Sequence, residues 1–439
     1  MSQASLLQKI GNRSARVGII GLGYVGLPVA LTFHDAGFHV LGFDIDPKKT
    51  EALAQGQSYI KTIDHTRIAE AVLDGDFEPT SDFSRLGEPD AVLLCLPTPL
   101  DTHRQPDLSY VTDTARQLVP HLHTGQLVVL ESTTFPGTTC DILRPILEQS
   151  GLHVGIDIFL AFSPEREDPG NPGFSTATIP KVVGGCTEAC GEVAEALYAA
   201  AIDTVHRVSN AATAELSKLL ENIFRSVNIA LVNELKVLAD RMGLDIWEVI
   251  DAASTKPFGF MPFYPGPGLG GHCLPIDPFY LTWKAREFGL STRFIELAGE
   301  INTAMPRYVI ERLVLALNQH NKSLKDSSII IIGAAYKPDV DDMRESPSLE
   351  LISLLTNAGA TVSYHDPHIP RLPPTRRYNF DMHSVDLTEE TLQACDAVII
   401  ATHHSACDWE FICTHAPLVV DTRNATASVA GERDHIVKA

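Results

Sequence analysis

The segment RVGIIGLGYVG, residues 16–26, constrains the fold of this chain more than any other feature. A short apolar run breaks into a glycine-rich turn, after which apolar residues recur at helical spacing, so we predict a strand, a tight turn and a helix. Gly21, Gly23 and Gly26 have the GxGxxG spacing. The first glycine permits the tight turn, the second lets the backbone approach a pyrophosphate, and the third allows close packing of helix on strand. The segment therefore predicts a dinucleotide-binding Rossmann-like fold.

An acidic residue at the end of the next strand indicates which dinucleotide is bound. Asp44 closes the predicted strand HVLGFDID, where a carboxylate accepts hydrogen bonds from ribose hydroxyls. With Asp46 nearby, it would repel a 2′-phosphate, so we expect NAD rather than NADP. The alternative is that the glycines serve only a turn and that Asp44 only ends a strand. The complete arrangement of strand, turn, helix and acid favours a cofactor site.

Strands alternate with helices in two separate regions of the chain. Further apolar runs at 91–99 and 126–134 belong to the first region, and the alternation resumes at 327 without a second GxGxxG. Between them, residues 210–243 contain no proline and no glycine before the last position, which predicts a helix of more than 30 residues. We therefore predict an α/β protein with two Rossmann-like parallel-sheet domains joined by a long central helix.

The predicted boundaries divide the chain into three parts. They are an NAD-binding domain at 1–205, a central helical region with the catalytic loop at 206–320, and a second Rossmann-like domain at 321–439. Ligands in such sheets bind beyond the carboxyl ends of the strands, so we expect the active site in the cleft between the two Rossmann-like domains.

Charge and hydropathy exclude several classes of partner. The formal net charge of -21 argues against general binding to nucleic acid or to an anionic membrane. No stretch reaches the length of a membrane span, and the N-terminus lacks an apolar signal region, so we expect a cytoplasmic protein.

The cysteines predict neither a disulfide framework nor a metal site. Eight cysteines are scattered without a framework spacing, and we expect reduced thiols. Cys186 and Cys190 lack a second pair of ligands, and His403, His404 and Cys407 resemble only half of a site. We therefore expect no bound metal.

Cys273 is the candidate nucleophile. It lies in GPGLGGHCLPID, residues 266–277, where small neighbours leave the sulfur open to a ligand. A structural cysteine usually lies within an apolar element rather than beside glycines and a histidine, so this setting favours nucleophilic catalysis. Asp277 follows four residues later.

Lys218 and Asn222 are spaced i and i+4, so they project from one face of the long helix. A cation beside an amide donor can stabilise a developing alkoxide or oxyanion. The alternative, a solvated helix face, would be favoured if the pair stood alone.

Three further polar stretches could contribute to a site. Thr133 in ESTTFPGTT could orient water or nicotinamide, and Glu165 in FSPERED could act as a base. Lys337 and Arg344 lie in YKPDVDDMRESP, a loop after a predicted strand, where cations could meet phosphates.

Taken in order, these motifs resemble the UDP-glucose/GDP-mannose dehydrogenase family over nearly the whole chain. The motifs that carry the resemblance are GLGYVGLPVA, PTPL, ESTTFPGTT, SPER, the Lys218 to Asn222 helix, GPGLGGHC with PIDP, and YKPDVDDMRESP. The resemblance implies NAD in the first domain, the nucleotide in the cleft and second domain, and a homodimer formed by the central helix.

The resemblance also implies a four-electron oxidation of a nucleotide sugar, from alcohol through aldehyde to acid, with two NAD. Cys273 matches the family nucleophile, which traps the aldehyde as a thiohemiacetal, and the second hydride transfer leaves a thioester for hydrolysis. Lys218 and Asn222 match the oxyanion-stabilising pair. Asp277 matches an aspartate that helps deprotonation through water, with Thr133 and Glu165 beside that water.

Other positions match binding residues of the family. The implied cofactor contacts are Gly21, Gly23, Tyr24, Val25, Gly26, Asp44, Lys49, Thr98, Thr133 and Arg344. The implied substrate contacts are Glu165, Lys218, Asn222, Tyr264, Gly270 and Lys337.

The sugar is indicated by two departures from the glucose-specific pattern. Glucose-specific members commonly carry a second glutamate where this chain has Pro169, and the loop at 255–271 looks like that of bacterial UDP-N-acetylglucosamine 6-dehydrogenases. We therefore expect oxidation of UDP-N-acetylglucosamine to UDP-N-acetylglucosaminuronate for surface polysaccharide. The alternatives are UDP-GalNAc, UDP-ManNAc, UDP-glucose and GDP-mannose.

Two other classes of function remain as alternatives. A two-electron hydroxyacid dehydrogenase would share a Rossmann domain and a long helix, but it would need neither the thiol nor the second alternating region. A non-catalytic protein that binds NAD or a nucleotide sugar is distinguished by the absence of turnover.

Overall fold

The computed structural model describes most of the 439-residue chain. Two residues of the sequence analysis, Cys273 and Pro169, lie outside the described residues. The described residues are 2–60, 63–101, 105–166, 176–271, 274–375, 377–431 and 434–439.

The chain divides into two compact units. Unit 1 comprises Met1–Glu221 and Phe279–Ser291, and unit 2 comprises Asn222–Pro278 and Thr292–Ala439. The division falls within the long helix, which contributes residues to both units. The three-part division at 205 and 320 stays a prediction.

Unit 1 contains a sheet of eight strands. Its order is β3-β2-β1-β4-β5-β6-β7-β8, and every neighbouring pair is parallel except β6 and β7. The six strands from β3 to β6 in this order have the Rossmann arrangement 3-2-1-4-5-6. The strands are β1 Arg16–Ile20, β2 His39–Phe43, β3 Phe77–Thr80, β4 Ala91–Leu94, β5 Leu127–Leu130, β6 Phe159–Phe162, β7 Lys181–Gly185 and β8 Val205–Arg207.

Unit 2 contains a parallel sheet of five strands in the order β10-β9-β11-β12-β13. Alternate side chains of β9 enter different cores, since Ile329 and Ile331 belong to one buried cluster and Ile330 and Ile332 to another. Both faces of this sheet are therefore covered. The strands are β9 Ser328–Ile332, β10 Thr361–His365, β11 Ala397–Ile400, β12 Val419–Asp421 and β13 Ile436–Lys438.

Helices connect these strands. The α-helices are α1 Gln3–Gly11, α2 Gly26–Asp35, α3 Pro47–Ala54, α4 His65–Leu73, α5 Ser109–Leu118, α6 Arg144–Leu147, α7 Glu188–Ala199, α8 Ala211–Met242, α9 Ile246–Ser254, α10 Asp277–Ala285, α11 Arg293–Gln319, α12 Pro347–Asn357, α13 Glu389–Ala394 and α14 Trp409–His415. Short 3-10 turns lie at Phe83–Gly87, Val119–His121, Glu148–Ser150 and Arg286–Phe288, and a π-helical turn lies at Thr138–Leu143.

The predicted fold class is confirmed: two Rossmann-like sheets are joined through a long helix. Helix α8 has 32 residues, in agreement with the uninterrupted helical pattern. Among the described residues, no helix is long and apolar enough to cross a membrane.

The expectation that the cysteines are thiols is wrong for one pair. Cys140 and Cys186 form a disulfide across a sequence separation of 46 residues. The predicted neighbour of Cys186, Cys190, is a buried free thiol in α7. Spacing along the chain cannot reveal this pair, because the fold brings the π-helical turn after β5 close to the end of β7.

Candidate active site

The glycine turn between β1 and α2 requires glycine at the first and third positions of the motif and leaves room at the second. Gly21 has a φ of 94°, and a Cβ there would lie 2.3 Å from the carbonyl oxygen of Cys95. A Cβ at Gly26 would lie 1.8 Å from the carbonyl oxygen of Gly21, so the helix could not approach the strand. A Cβ at Gly23 would meet no protein atom within 4 Å. The protein itself therefore requires the first and third glycines, and the room at the second suits a pyrophosphate.

The start of α2 has no side-chain cap. Its N-cap residue, Val25, makes no side-chain capping hydrogen bond. Helix N-termini carry unsatisfied N–H groups and a partial positive charge, so an uncapped first turn after a glycine loop suits a phosphate. Tyr24 and Val25 are both partly buried in this turn.

Asp44 is hydrogen-bonded to the glycine turn. Its Oδ2 accepts hydrogen bonds from the N–H of Leu22 at 3.0 Å and from Nζ of Lys49 at 3.2 Å. Its Oδ1 accepts from the N–H of Asp46 at 3.0 Å. Asp44 is buried, so its carboxylate is held in one orientation. Asp44 and Lys49, both predicted cofactor contacts, thus lie together.

The structure adds Tyr59 to this group. Its hydroxyl donates to the carbonyl oxygen of Leu22, and Nζ of Lys49 lies 5.8 Å from its ring centroid. Burial raises the pKa of Tyr59, and the carboxylates of Asp44 and Asp46 raise it further. No local motif marks Tyr59, because α2, β2 and α3 separate it from the glycine turn along the chain.

Ser132 ties together two loops at the carboxyl ends of β4 and β5. Its hydroxyl accepts from the N–H of Leu96 at 2.9 Å and donates to the carbonyl oxygen of the same residue at 2.7 Å. Thr133 follows it and is partly buried, whereas Thr98, in the neighbouring loop, is almost fully buried. Both predicted contacts therefore lie in loops held by one hydroxyl.

Glu215, in the first turns of α8, fixes the loop that follows Thr133. Its carboxylate accepts from the N–H of Gly137 at 2.7 Å, the N–H of Thr139 at 2.8 Å and the hydroxyl of Thr139 at 2.7 Å. Burial raises the pKa of Glu215 to about 7 despite these hydrogen bonds. The sequence analysis did not single out Glu215, although it lies three residues before Lys218.

Lys218 is not on a solvated helix face. Its side chain is 5% exposed, and its Nζ lies 3.4 Å from Oε2 of Glu165, whose side chain is 12% exposed. Arg166, next to Glu165, pairs with Glu221 one turn further along α8 and donates to the carbonyl oxygen of Pro180 at 2.7 Å. The SPER segment is therefore held against the beginning of α8 by two ion pairs.

Asn222 and Asp277, both in unit 2, are hydrogen-bonded to each other. The amide Nδ2 of Asn222 donates to Oδ2 of Asp277 at 2.5 Å, and both side chains are buried. The amide oxygen of Asn222 accepts from the guanidinium of Arg225, which sets the orientation of the amide. Two of the predicted catalytic residues, from distant parts of the sequence, are thus in contact.

The glycine-rich loop before Cys273 is packed too tightly for side chains. A Cβ at Gly270 would lie 2.6 Å from Cβ of Tyr336, and one at Gly271 would lie 2.9 Å from the Tyr336 ring. The N–H of Gly271 donates to the carbonyl oxygen of Arg344 at 2.9 Å. The loop therefore lies against the YKPDVDDMRESP segment, which also contains the half-buried Lys337.

Arg423 is a cation that the sequence analysis did not identify. A Cβ at Gly266 would lie 2.3 Å from its Nη1, and its Nε donates to the carbonyl oxygen of Ala401 at 2.9 Å. Burial lowers the pKa of Arg423 to about 10, against the opposing effect of Asp421. Its position just after β12, at the carboxyl end of a strand, was the available sequence signal.

Two predicted contacts are engaged elsewhere on unit 2. The hydroxyl of Tyr264 donates to Oδ1 of Asp251 at 2.8 Å, and this hydrogen bond raises the pKa of Tyr264. The guanidinium of Arg344 makes a two-pronged ion pair with Asp342, at 3.0 and 2.6 Å. Their roles toward substrate and cofactor stay predictions, as does the role of Cys273.

Taken together, the fold and the glycine turn define an NAD-dependent dehydrogenase with a second nucleotide-binding domain. Three family models of the UDP-glucose/GDP-mannose dehydrogenase family match the chain: the NAD binding domain at 15–202, the central domain at 212–304 and the UDP binding domain at 330–428. The chain belongs to the UDP-glucose/GDP-mannose dehydrogenase family. It is an NAD-dependent nucleotide-sugar dehydrogenase.

Its relatives act on different acetamido sugars. The chain is 34% identical to the UDP-N-acetyl-D-mannosamine dehydrogenase of Pyrococcus horikoshii over 93% of this chain and 95% of the other. It is 33% identical to the UDP-N-acetyl-D-glucosamine 6-dehydrogenase of Pseudomonas aeruginosa, over 90% and 91% of the two chains. The solved structure of the Pyrococcus horikoshii enzyme gives a TM-score of 0.87 at 32% identity, covering 96% of this chain and 98% of the other.

Proposed function

We propose that the protein oxidises the C6 alcohol of a UDP-sugar to the uronic acid in two steps, with Cys273 as the nucleophile. Bound NAD supplies the hydride acceptor for each step. The observation that carries the proposal is that two neighbouring turns of α8 each present a buried polar side chain tied to a carboxylate: Lys218 to Glu165, and Asn222 to Asp277. Such pairs are costly to bury without a function or strong compensation.

The reaction balances as two hydride transfers and one hydrolysis. Loss of a hydride and a proton converts the alcohol to an aldehyde. The thiolate of Cys273 then adds to the carbonyl carbon, and loss of a second hydride from the thiohemiacetal leaves a thioester. Water cleaves the C–S bond, which releases the carboxylate and returns the thiol. Two NAD are reduced for each sugar oxidised.

The side chains of α8 suit the charge that develops on the sugar oxygen. The side chain of Lys218 is almost fully buried from solvent, so water screens the interaction of its ammonium group with an oxyanion only weakly. An amide nitrogen carries two N–H donors, so Asn222 can hold Asp277 with one and a developing oxyanion with the other. Asp277 can take a proton from water, and Thr133 and Glu165 keep the role that the family resemblance implies, beside a catalytic water.

The proposed substrate is UDP-N-acetylglucosamine, and the product serves surface polysaccharide. The loop at 255–271 and Pro169 in place of a glutamate support an acetamido sugar rather than glucose. The relatives named for mannosamine, glucosamine and galactosaminuronic acid substrates support the same class. UDP-ManNAc and UDP-GalNAc are the nearest alternatives, followed by UDP-glucose and GDP-mannose.

We also propose a homodimer in the cytoplasm. Large apolar side chains are exposed at helical spacing along α8, namely Leu216, Leu220, Phe224, Leu231, Leu235, Leu238 and Met242. An exposed apolar stripe of this length is unfavourable in water and typical of an interface. A second copy of the same helix would cover it.

Purified protein with five nucleotide sugars and NAD tests the reaction and the sugar together. NADH absorbance should give two NADH per UDP-N-acetylglucosamine, with the highest kcat/KM for that sugar. One NADH per sugar would contradict the four-electron reaction. A preference for another sugar would overturn the proposed substrate but leave the proposed mechanism standing. No turnover with any of the five sugars would contradict the proposed reaction.

A further inference from the structure

Two histidines and an aspartate meet at the carboxyl edge of the unit 2 sheet. Asp339 follows β9, His368 follows β10 and His404 follows β11. Strand β9 lies between β10 and β11, so the strand order reverses here. Open α/β sheets bind ligands at the point where the strand order reverses. One potential ligand atom from each of the three side chains lies within 4.8 Å of the others.

The distances between these atoms approach those of a metal site. Oδ1 of Asp339 lies 3.7 Å from Nε2 of His368 and 3.8 Å from Nδ1 of His404. Ligand bonds of about 2.1 Å at tetrahedral angles place neighbouring ligand atoms about 3.4 Å apart. Inward movements of a few tenths of an ångström would therefore bring all three atoms within bonding distance of one ion.

A buried carboxylate holds the loops that carry the site. Oδ1 of Asp366 accepts from the N–H of His368 at 2.8 Å and from the N–H of Ile369 at 3.0 Å. Oδ2 accepts from the N–H of Ala335 at 2.9 Å and from Nε2 of His404 at 3.1 Å. The three loops are thus held together by hydrogen bonds to one buried carboxyl group.

The hydrogen bonds of His404 fix its tautomer. The N–H of Asp339 can only donate, and it lies 3.1 Å from Nδ1 of His404, so Nδ1 carries the lone pair. The ring proton is then on Nε2 and is donated to Asp366. A histidine that donates to a carboxylate from one nitrogen and offers the other is the arrangement of metal ligands supported by outer hydrogen bonds. A metal would replace the Asp339 N–H at Nδ1.

The remaining two side chains are accessible. The side chain of His368 is 31% exposed and that of Asp339 is 45% exposed, so an ion can enter and water can complete its coordination. The N–H of Ser405 donates to Oδ1 of Asp339 at 2.9 Å, which fixes the orientation of this carboxylate.

We propose that Asp339, His368 and His404 bind one transition-metal dication of the zinc type. Two imidazole nitrogens and one carboxylate oxygen suit Zn²⁺ or Ni²⁺, whereas Mg²⁺ and Ca²⁺ prefer oxygen ligands throughout. The ion would tie together the loops after β9, β10 and β11. The sequence predicted no metal, because these ligands come from three separated loops. The site is independent of the proposed reaction, and its test does not use turnover.

Calorimetric titration of the EDTA-treated full-length protein with ZnCl₂ tests the site. The wild-type chain should bind one more equivalent of Zn²⁺ than His368→Ala, and its melting temperature should rise with Zn²⁺. Asp339→Asn should weaken binding by about tenfold or more, because it replaces an anionic ligand with a neutral amide. MgCl₂ should give neither binding nor stabilisation at the same concentrations.

His403→Ala is the matched control, since His403 is an exposed histidine adjacent to the site that packs against Trp409. It should bind Zn²⁺ like the wild-type chain. Any binding of Zn²⁺ to cysteine thiols contributes equally to the wild-type chain and the three variants, so it cancels in the comparison. Melting temperatures without metal show that each variant folds. Equal Zn²⁺ binding by the wild-type chain and His368→Ala would overturn the proposal, as would stoichiometric Mg²⁺ binding at this site.

Discussion

Asn222 donates a hydrogen bond of 2.5 Å to Asp277, and both side chains are buried. The contact joins the middle of α8 to Asp277, which is both the last residue of the GGHCLPID segment and the first residue of α10. In the proposed mechanism this buried carboxylate, four residues after Cys273 in the sequence, is a proton acceptor, and the amide of Asn222 fixes its orientation. The proposed mechanism can therefore be tested by changing the charge while retaining the shape.

Asp277→Asn should lower kcat by about 10²- to 10⁴-fold, because a neutral amide cannot accept a proton from water. KM for the sugar should change little. Steady-state NADH formation measures both quantities. Asp408→Asn is the matched control: Asp408 caps α14, and asparagine caps helices equally well. An Asp277→Asn enzyme with normal kcat would remove Asp277 from the chemistry.

Cys273→Ser should fail to release the uronic acid. Serine is far less nucleophilic than a thiolate, so the aldehyde is not trapped and no thioester forms. Product analysis by mass spectrometry, together with NADH yield, detects the loss. Cys395→Ser is the control, because Cys395 is a buried thiol that donates to the carbonyl oxygen of Leu392, a bond that serine can make. If Cys273→Ser releases the uronic acid at the wild-type rate, Cys273 is not the nucleophile.

Local parts of the site were predictable from the sequence, whereas distant contacts were not. Gly21, Gly23 and Gly26 act within one turn, and the spacing of Lys218 and Asn222 follows from helix geometry alone, so short-range reasoning sufficed. The burial of Lys218 required the fold, because its partner Glu165 lies 53 residues away.

The residues missed by the sequence analysis make their contacts across the fold. Tyr59 reaches Leu22 over 37 residues, and Glu215 reaches Thr139 over 76. A lone tyrosine or glutamate carries no motif, so only the three-dimensional arrangement distinguishes it from a surface residue. The same reason explains why Cys140 and Cys186 were wrongly predicted to be reduced thiols, whereas they form a disulfide. The parallel pairing of most strands was predictable, since it follows from alternating strands and helices, but the antiparallel β6–β7 pair was not.

Asp44→Asn should raise KM for NAD by about tenfold and should narrow the preference for NAD over NADP. The variant loses the carboxylate that is proposed to accept hydrogen bonds from the ribose hydroxyls and to repel a 2′-phosphate. It also weakens the hydrogen bond that residue 44 accepts from the N–H of Leu22. Kinetics with each cofactor measure the change. Asp35→Asn is the control, because Asp35 is an exposed residue paired with Arg67. An unchanged ratio of the two cofactors would contradict the role of Asp44.

Replacing Leu231 and Leu238 with glutamate should convert the proposed dimer into monomers. Both side chains are about half exposed on α8, at 51% and 53%, and a charge at each would remain unpaired and desolvated in an interface. Sedimentation velocity measures the mass. Leu73→Glu, at an 84% exposed position on α4, should leave the mass unchanged. A wild-type chain that sediments as a monomer would refute the dimer outright.

Glu215 should make the protein less stable as the pH rises from about 4.5 to about 7. Burial raises its pKa from 4.5 to about 7 in the folded chain, so the folded state holds the proton more tightly than the unfolded state does. The stability that this proton provides is fully present below pH 4.5 and is lost as the pH rises through 7. The shift corresponds to about 3 kcal/mol in the free energy of unfolding.

Glu215→Gln should remove this pH dependence, measured as the difference between melting temperatures at pH 5 and pH 8. Glu51→Gln, at an exposed position on α3, should retain it. Because Glu215 holds Gly137 and Thr139, a parallel loss of activity above pH 7 in the wild-type chain would connect its ionisation to the loop that carries Thr133. If Glu215→Gln shows the same pH dependence as the wild-type chain, the buried carboxyl is not the group responsible.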